Sequence, residues 1–114
     1  MRVNLIKEKT VLDFAKKHAR SIGAFTRWVE IIKKADIEKP QDFINLFGRK
    51  NVDILGNNSD RICFDVGGNN YRIICSYFFN DNIETVTLFV KWIGTHAEYD
   101  ALNDQDEQYT VDKF

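Results

Sequence analysis

Three side chains that can take part in acid–base chemistry stand close together near residue 96. They are the imidazole of His96, the phenol of Tyr99 and the carboxylate of Asp100. If this stretch is helical, His96 lies beside both of the others, because residues three and four positions apart share a helix face. A titratable imidazole beside a phenol and a carboxylate could serve as an acid–base site.

The same stretch also has a purely structural explanation. Thr95 and Glu98 have the spacing of a capping box, in which a hydroxyl and a glutamate three residues later satisfy the first backbone N–H groups of a helix. In that explanation His96 is only a polar surface residue. Spacing alone does not separate the two, because short motifs often match by chance.

Composition and length describe one ordinary globular domain. The chain has 114 residues, of which 44% are hydrophobic and 29% charged, and this is enough for a single core. No stretch approaches the roughly 20 apolar residues of a membrane span. The first eight residues are too charged for a secretion signal. We therefore expect a cytoplasmic protein.

Charge is divided unevenly along the chain. Residues 1–50 contain twelve Lys and Arg against six Asp and Glu, a balance of +6, whereas residues 51–114 contain four against eleven, a balance of −7. The basic half predicts an anionic partner such as RNA or an acidic protein, although a solvated helical surface is the alternative. The candidate RNA-binding lysines there are Lys16, Lys17, Lys33 and Lys34.

Cysteines and histidines are too few and too scattered to predict a metal site. Cys63 and Cys75 bracket a predicted hairpin, and His18 lies far from His96 in sequence. Neither zinc-ligand spacing nor a secreted disulfide framework is present. We expect no metal, no cofactor and two reduced, buried thiols.

The elements that must position His96 can be placed from periodicity. Apolar residues at helical spacing predict three helices, at about residues 8–19, 22–36 and 41–46. Ser21 can cap the second helix. Pro40 suits the first turn of the third, and Gly48 ends it.

Five strands are predicted around and after these helices. They cover about residues 3–6, 52–55, 61–66, 71–79 and 85–93, and the last four are joined by turns rich in glycine and asparagine, one of them at residues 56–59. Helices followed by strands predict an α+β fold, with the helices on one face of an antiparallel sheet.

Alternation within the strands suggests their register. A two-residue loop at Gly68-Asn69 pairs Val66 with Tyr71, and a second at Asp81-Asn82 pairs Cys75 with Leu88. One face is then apolar across three strands, with Trp92 opposite Tyr71 on it, and should pack on the helices. On that face Phe64, Ile73, Leu88 and Val90 should lie beneath Leu12, Phe25, Val29 and Ile32.

The opposite face of the sheet then carries charge. In this register Arg72 lies between Asp65 and Lys91, and Arg61 lies further along. An arginine in the middle of a sheet suggests an anionic ligand. The alternative is an ordinary cross-strand pair with Asp65, worth about 0.2–1 kcal/mol. The strand that holds Lys91 ends at His96, so these cations and His96 could share one corner.

These residues resemble a known family. The run Asp65-Val66-Gly67-Gly68-Asn69-Asn70-Tyr71-Arg72-Ile73-Ile74, followed by Gly94-Thr95-His96-Ala97-Glu98-Tyr99-Asp100, resembles the HigB toxin family of bacterial toxin–antitoxin systems. The N-terminal half is similar too, including Lys33-Lys34-Ala35-Asp36 and Lys39-Pro40. The resemblance runs from about residue 1 to 103.

What the resemblance implies is a RelE-like fold, in which N-terminal helices pack on one face of a twisted antiparallel sheet and a short helix follows. It implies one toxin domain over residues 1–103 and leaves an acidic tail over residues 104–114, which could be mobile. The implied function is that of an mRNA interferase, an endoribonuclease that cleaves mRNA on translating ribosomes and is neutralised by a HigA-like antitoxin, with no role for a membrane.

By match to the family motifs, the catalytic candidates are Arg72, His96 and Tyr99, with Lys91 added, and Arg61 and Asn70 join the RNA-binding candidates. Metal-free cleavage by the 2′-OH needs a base, an acid and cations for the phosphorane charge. The arginine and lysine would be the cations. His96 could be acid or base. Tyr99 could orient it, stack on a nucleobase, or itself be the acid or the base if its pKa fell.

Two other functions fit the same residues. A non-catalytic RNA- or protein-binding module with this fold would explain why the chain offers one histidine here and no second obvious base. The other is a regulatory subunit whose only role is to hold a protein partner. Some RelE relatives keep a catalytic residue near the C-terminus, where this chain has its acidic tail.

Overall fold

The computed structural model describes residues 1–56 and 58–114, and they form an α+β protein built on a five-stranded sheet. The strands are β1 (Arg2–Ile6), β2 (Val52–Leu55), β3 (Arg61–Val66), β4 (Tyr71–Asn80) and β5 (Thr85–Thr95). The helices are α1 (Glu8–Lys17), α2 (Ile22–Lys34), α3 (Gln41–Phe47) and α4 (His96–Asp104), with short 3-10 helices at Ala19–Ser21 and Glu107–Tyr109. None of the described helices has the length and apolar character needed to cross a membrane.

The sheet is mixed, whereas we expected it to be antiparallel throughout. Its strand order is β1-β5-β4-β3-β2. The last four strands are antiparallel, as predicted, but β1 runs parallel to β5, with Val3 opposite Val86. Because β1 is followed by helices and not by a hairpin turn, nothing in its local sequence fixes the direction of its partner.

The apolar face of the sheet packs on α1, α2 and α3, as the alternation predicts. Phe64, Ile73, Leu88 and Val90 are at most 1% exposed and share one cluster with Phe25, Val29 and Ile32, while Leu12 is partly buried at its edge. Ile22 belongs to the apolar pattern that predicts α2, and we expected it in the core, but it lies in the first turn of that helix and is 43% exposed.

The ends of two helices test the capping predictions. Gly48 ends α3 with a φ of +94°, a conformation that favours glycine. Ser21 does not cap α2, contrary to our prediction. Its hydroxyl donates to the carbonyl of His18 at 2.6 Å. It therefore closes the preceding 3-10 turn and accepts no hydrogen bond from a backbone N–H of α2.

The β3–β4 register is as predicted, with Val66 opposite Tyr71 and Asp65 opposite Arg72. The turn predicted before β3, at residues 56–59, includes Asn57, which lies outside the described residues.

The β4–β5 register differs from our prediction, because the connecting loop has four residues, 81–84, and not two. Cys75 therefore pairs with Val90. An additional residue, Lys91, then interrupts the ladder as a β-bulge, so the faces of β5 exchange beyond it. As a result Trp92 leaves the helix-packed face, and Gly94 takes the position opposite Arg72 that we assigned to Lys91.

Candidate active site on the outer face of the sheet

The outer face of the sheet, which is turned away from α1, α2 and α3, is covered by α4 and the residues after it. Its buried side chains are Leu55, Cys63, Ile74 and Trp92. Tyr99 and Leu102 of α4 pack against them. The bulge at Lys91 makes this packing possible, because it turns Trp92 toward α4.

Gly94 lets Trp92 lie flat against the end of β5. A Cβ at this position would stand 2.5 Å from Cη2 of Trp92, closer than real Cβ contacts ever are. The indole can therefore occupy the space above residue 94 only because that residue is glycine. The ring of Tyr99 then packs beside the indole, with 6.1 Å between ring centroids.

The start of α4 is fixed by side chains and by the neighbouring hairpin. The capping box predicted at Thr95 and Glu98 is present. The Glu98 carboxylate accepts a hydrogen bond from the Thr95 N–H at 2.8 Å, and the Thr95 hydroxyl accepts one from the Glu98 N–H at 3.1 Å. The N–H of His96 donates to the carbonyl of Asn70 at 3.0 Å. Asn70 thus joins the β3–β4 turn to the first residue of α4 through its main chain.

Arg72 is held on three sides. Its Nε lies 3.1 Å from a carboxylate oxygen of Asp65, and its Nη2 donates to the side-chain oxygen of Asn69 at 2.9 Å. Its guanidinium stands 5.7 Å from the centre of the Tyr99 ring. The side chain is 11% exposed, so its position is rigid. Burial raises the pKa of Asp65, and the neighbouring guanidinium opposes that shift.

Tyr99 keeps its proton at neutral pH. Burial raises the pKa of its phenol well above the ordinary value of 10.0, and the neighbouring Cys63 thiol and Asp53 carboxylate act in the same direction. Arg72 acts against this shift but is the smallest of the influences. The suggestion that Tyr99 could be a base with a lowered pKa is therefore wrong. The phenol can donate a hydrogen bond or present its ring.

His96 and Asp100 form a pair on one turn of α4, as the spacing predicts. Nε2 of the imidazole lies 3.4 Å from a carboxylate oxygen of Asp100. The His96 side chain is 41% exposed, so a ligand can reach it. Its Nδ1 is buried and has no hydrogen-bond partner among the described residues. The side chain is thus oriented by one carboxylate.

Lys91 and Arg61 lie on the outer face, and both side chains are paired with groups near the end of the chain. Residues 107–114, which we call the strap, run across this face. Asp112 places a carboxylate oxygen 3.0 Å from Nζ of Lys91, and the carbonyl of Val111 accepts from Nη1 of Arg61. The backbone N–H of Lys113 also donates to the carbonyl of Lys91 at 2.8 Å.

The four predicted RNA-binding lysines lie apart from this site. Lys16 and Lys17 are in the last turn of α1, and Lys33 and Lys34 in the last turn of α2, on the other side of the sheet. Lys33 pairs with Glu8 at 2.9 Å. Of the sequence candidates, the structure brings together Arg72, Tyr99, His96 and the main chain of Asn70.

Three contributors to the site were not predicted. Asn69 orients Arg72, Trp92 forms the wall beside Tyr99, and Asp112 pairs with Lys91. Two adjacent bulky residues followed by glycine, Trp92-Ile93-Gly94, could have signalled that the faces of β5 exchange. Among the described residues, no three His, Cys, Asp or Glu side chains are grouped as metal ligands.

The arrangement offers a fixed cation, a neutral phenol and an accessible imidazole within one turn of α4 and the adjacent hairpin. A guanidinium is suited to a phosphate, because its parallel N–H groups match two phosphate oxygens. An imidazole can move a proton near neutral pH. Together they can stabilise and protonate groups around a phosphodiester.

Comparison with known proteins places the chain in a family. Residues 21–102 match the model of HigB_toxin, described as the RelE-like toxic component of a toxin–antitoxin system. An mRNA interferase HigB of Escherichia coli O6:H1 is 31% identical over 100 residues, which cover 88% of this chain and 91% of the relative. The mRNA interferase toxin HigB of Escherichia coli K12 is 26% identical over 98 residues, which cover 86% and 88%. The chain therefore belongs to the HigB toxin family of toxin–antitoxin systems.

Proposed function

We propose that this protein is a cytoplasmic mRNA interferase, the toxin of a type II pair, with a RelE-like fold in residues 1–103. Its substrate is mRNA on the ribosome, and its partner is a HigA-like antitoxin. The observation that carries the proposal is the placement of Arg72 beside Tyr99 at the start of α4, where the imidazole of His96 is accessible. The names of two relatives, both mRNA interferases, support the same activity.

In the proposed reaction the 2′-OH of the RNA attacks the adjacent phosphate and the 5′-oxygen leaves. Arg72 faces the phosphate and stabilises the charge of the phosphorane, which is greatest in the transition state. His96 either takes the proton from the 2′-OH or gives one to the leaving oxygen. Tyr99, which stays protonated, donates a hydrogen bond or stacks on a base. Lys91 is a second cation that the strap must first release.

The basic helices have a separate proposed role. Lys16, Lys17, Lys33 and Lys34 bind ribosomal RNA or an acidic antitoxin from the other side of the molecule. If RNA is their ligand, binding to ribosomes should weaken steeply as salt rises. Binding that is equal at low and high salt would exclude this role.

A non-catalytic binding module is the second candidate, and one observation favours it. The guanidinium of Arg72 already has Asp65 and Asn69 as partners and is 11% exposed, which is also how a purely structural arginine is held. Such a module would bind RNA or protein through the same face without cleaving a bond.

Single-turnover cleavage of mRNA on saturating ribosomes separates these functions. Arg72→Ala should lower the rate roughly 10²–10³-fold, and His96→Gln roughly 10²–10⁴-fold if it moves a proton. Arg27→Ala and His18→Gln change the same residue types on the helical side and should leave the rate unchanged. Thermal melts check folding. If the folded Arg72, His96 and Tyr99→Phe variants all cleave at the parent rate, the active site lies elsewhere.

A further inference from the structure

The strap covers the outer face with acceptor oxygens placed on its cations. Tyr109 and Val111 contact the apolar cluster beneath α4, and Asp112 follows them to Lys91. Phe114 then packs against the core beside Phe14 of α1. A carboxylate on a lysine and a carbonyl on an arginine are the contacts that a bound phosphate would make with the same two side chains.

The strap leaves some of the buried polar atoms around it without a hydrogen-bond partner among the described residues. Arg61 is 8% exposed, yet its Nε has no hydrogen-bond partner among the described residues and is 3.7 Å from Asp60. The side-chain oxygen of Gln108, within the strap, is also buried without a partner there. Because buried polar groups left unpaired cost free energy, a ligand that supplied more acceptor oxygens would be preferred at Arg61.

The position of this site fits a strand of RNA that also reaches Arg72. Arg61 pairs with Ser76 and Arg72 with Asp65, four residues apart on the β3–β4 ladder. At about 3.4 Å per residue this separation is roughly 14 Å. Cys63 and Ile74, which lie between the two arginines on this face, are buried beneath α4, so one nucleic acid strand would pass along the edge of α4 to place different phosphates at the two arginines.

We propose that Arg61 and Lys91 form a phosphate-binding subsite for the RNA strand, and that the strap occupies it as an intramolecular competitor. The inference rests on the proposed function, since RNA is the ligand of both. The strap lies beyond residue 102, where the match to the family model ends, so the competitor is outside the part of the chain that the family model describes.

Binding of a short single-stranded RNA with methylated 2′-oxygens tests this competition, because that RNA cannot undergo attack by the 2′-OH. Asp112→Asn removes the negative charge that pairs with Lys91. Phe114→Ala weakens the apolar contact that holds the end of the strap and changes no charge. Fluorescence anisotropy should show binding roughly two- to fivefold tighter for Asp112→Asn, the size of one partly exposed ion pair, and tighter binding for Phe114→Ala as well. Asp106→Asn is the control, because it makes the same change of charge at an exposed acid that has no ion-pair partner among the described residues.

Adding Lys91→Met to Asp112→Asn should abolish the gain in affinity. The inference is overturned if Asp112→Asn and Asp106→Asn bind alike, if the gain survives Lys91→Met, or if the RNA binds to none of the folded variants. If the protein cleaves mRNA on ribosomes but the strap variants bind RNA no more tightly than the parent, the proposed function stands and this inference fails. Competition without cleavage would leave this inference standing and reject the proposed function.

Discussion

At the scale of single residues, the site depends on side chains whose protonation and shape are set by burial. Tyr99 shows this most clearly, because a cation lies near its ring and its phenol is nevertheless harder to ionise. The cost of removing water from a phenolate exceeds the attraction of Arg72. The phenol is therefore a hydrogen-bond donor at every pH at which a ribosome works.

Alkaline titration should identify the Tyr99 phenol directly. Its pKa is raised in the folded state above the ordinary 10.0, so below pH 10.0 the phenol is protonated in both states and has no effect on stability. Above that pH only the unfolded chain ionises, and stability falls as pH rises. Burial also raises the pKa of Tyr77, so absorbance of the phenolate should show late titration of both tyrosines, and Tyr99→Phe should remove its own share. A Tyr99→Phe variant with the same late titration as the parent would contradict this.

Gly94 should be the least replaceable glycine in the site. Gly94→Ala would put a Cβ 2.5 Å from the Trp92 indole and displace it, at a cost of about 1–3 kcal/mol in the free energy of unfolding. Gly23→Ala is the matched control. It lies in α2 with no atom within 4 Å of the added Cβ, and should stabilise by about 0.4–1 kcal/mol. Denaturant unfolding of both variants checks the difference, and equal stability would exclude the contact.

At the scale of elements, the capping box explains why His96 occupies its position. Helix α4 begins where Thr95 and Glu98 satisfy its first N–H groups and where Asn70 accepts from His96. The two explanations of this stretch are therefore not exclusive, because the cap positions the residue that could do the chemistry.

Thr95→Ala should loosen the start of α4. Loss of the N-cap hydroxyl costs about 0.5–2 kcal/mol in the free energy of unfolding, and Thr95→Ser should restore most of it. If the proposed function is right, cleavage should fall with Thr95→Ala and recover with Thr95→Ser. If the cleavage rates of Thr95→Ala and Thr95→Ser are equal although their stabilities differ, α4 does not position the site.

The two faces of β5 should respond differently to the same change. Leu88 is fully buried against the helices, and Leu88→Ala should cost about 2–5 kcal/mol in the free energy of unfolding. Its neighbour Phe89 is 37% exposed on the outer face, so Phe89→Ala should cost at most about 1 kcal/mol. Chemical denaturation of both variants measures the contrast, and similar costs would mean that the faces are assigned wrongly.

The sequence determines these faces better than it determines register. A slip by two residues leaves every side chain on its own face, so the pattern of β4 and β5 could not distinguish a two-residue loop from the four residues 81–84. The bulge at Lys91 depends on the packing of Trp92 against α4, which is a tertiary contact. The residues Arg72, His96 and Tyr99, which were named from the sequence, do lie together in the structure, but Lys91 was placed beside Arg72 by an incorrect register.

At the scale of the whole molecule, the sheet separates two chemical environments. One side carries α1 and α2 with their terminal lysines, and the other carries α4, the strap and the candidate site. Cys63 and Cys75 mark the two sides, because each belongs to a different apolar cluster.

The two cysteines should therefore remain thiols that react only after unfolding. Burial raises the pKa of the Cys63 thiol to about 12 and that of Cys75 further, so neither forms a thiolate near neutral pH. Titration with a thiol reagent should find no reactive group in the folded protein and two per chain after denaturation without reductant. Finding no thiols after denaturation would show a disulfide and reject their placement on opposite faces.

The pairing of β1 with β5 has a consequence for how the protein is made. Within the sheet β1 pairs with β5, from Arg2–Thr85 to Ile6–Phe89, and its other pairing is a single bridge between Arg2 and Asp36. Contacts between such distant parts of a chain form slowly, because a long loop must close first. Until β5 has been synthesised, β1 lacks its partner strand and Arg72 has no Gly94 opposite it. The candidate site therefore cannot assemble until β5 and α4 have both been synthesised.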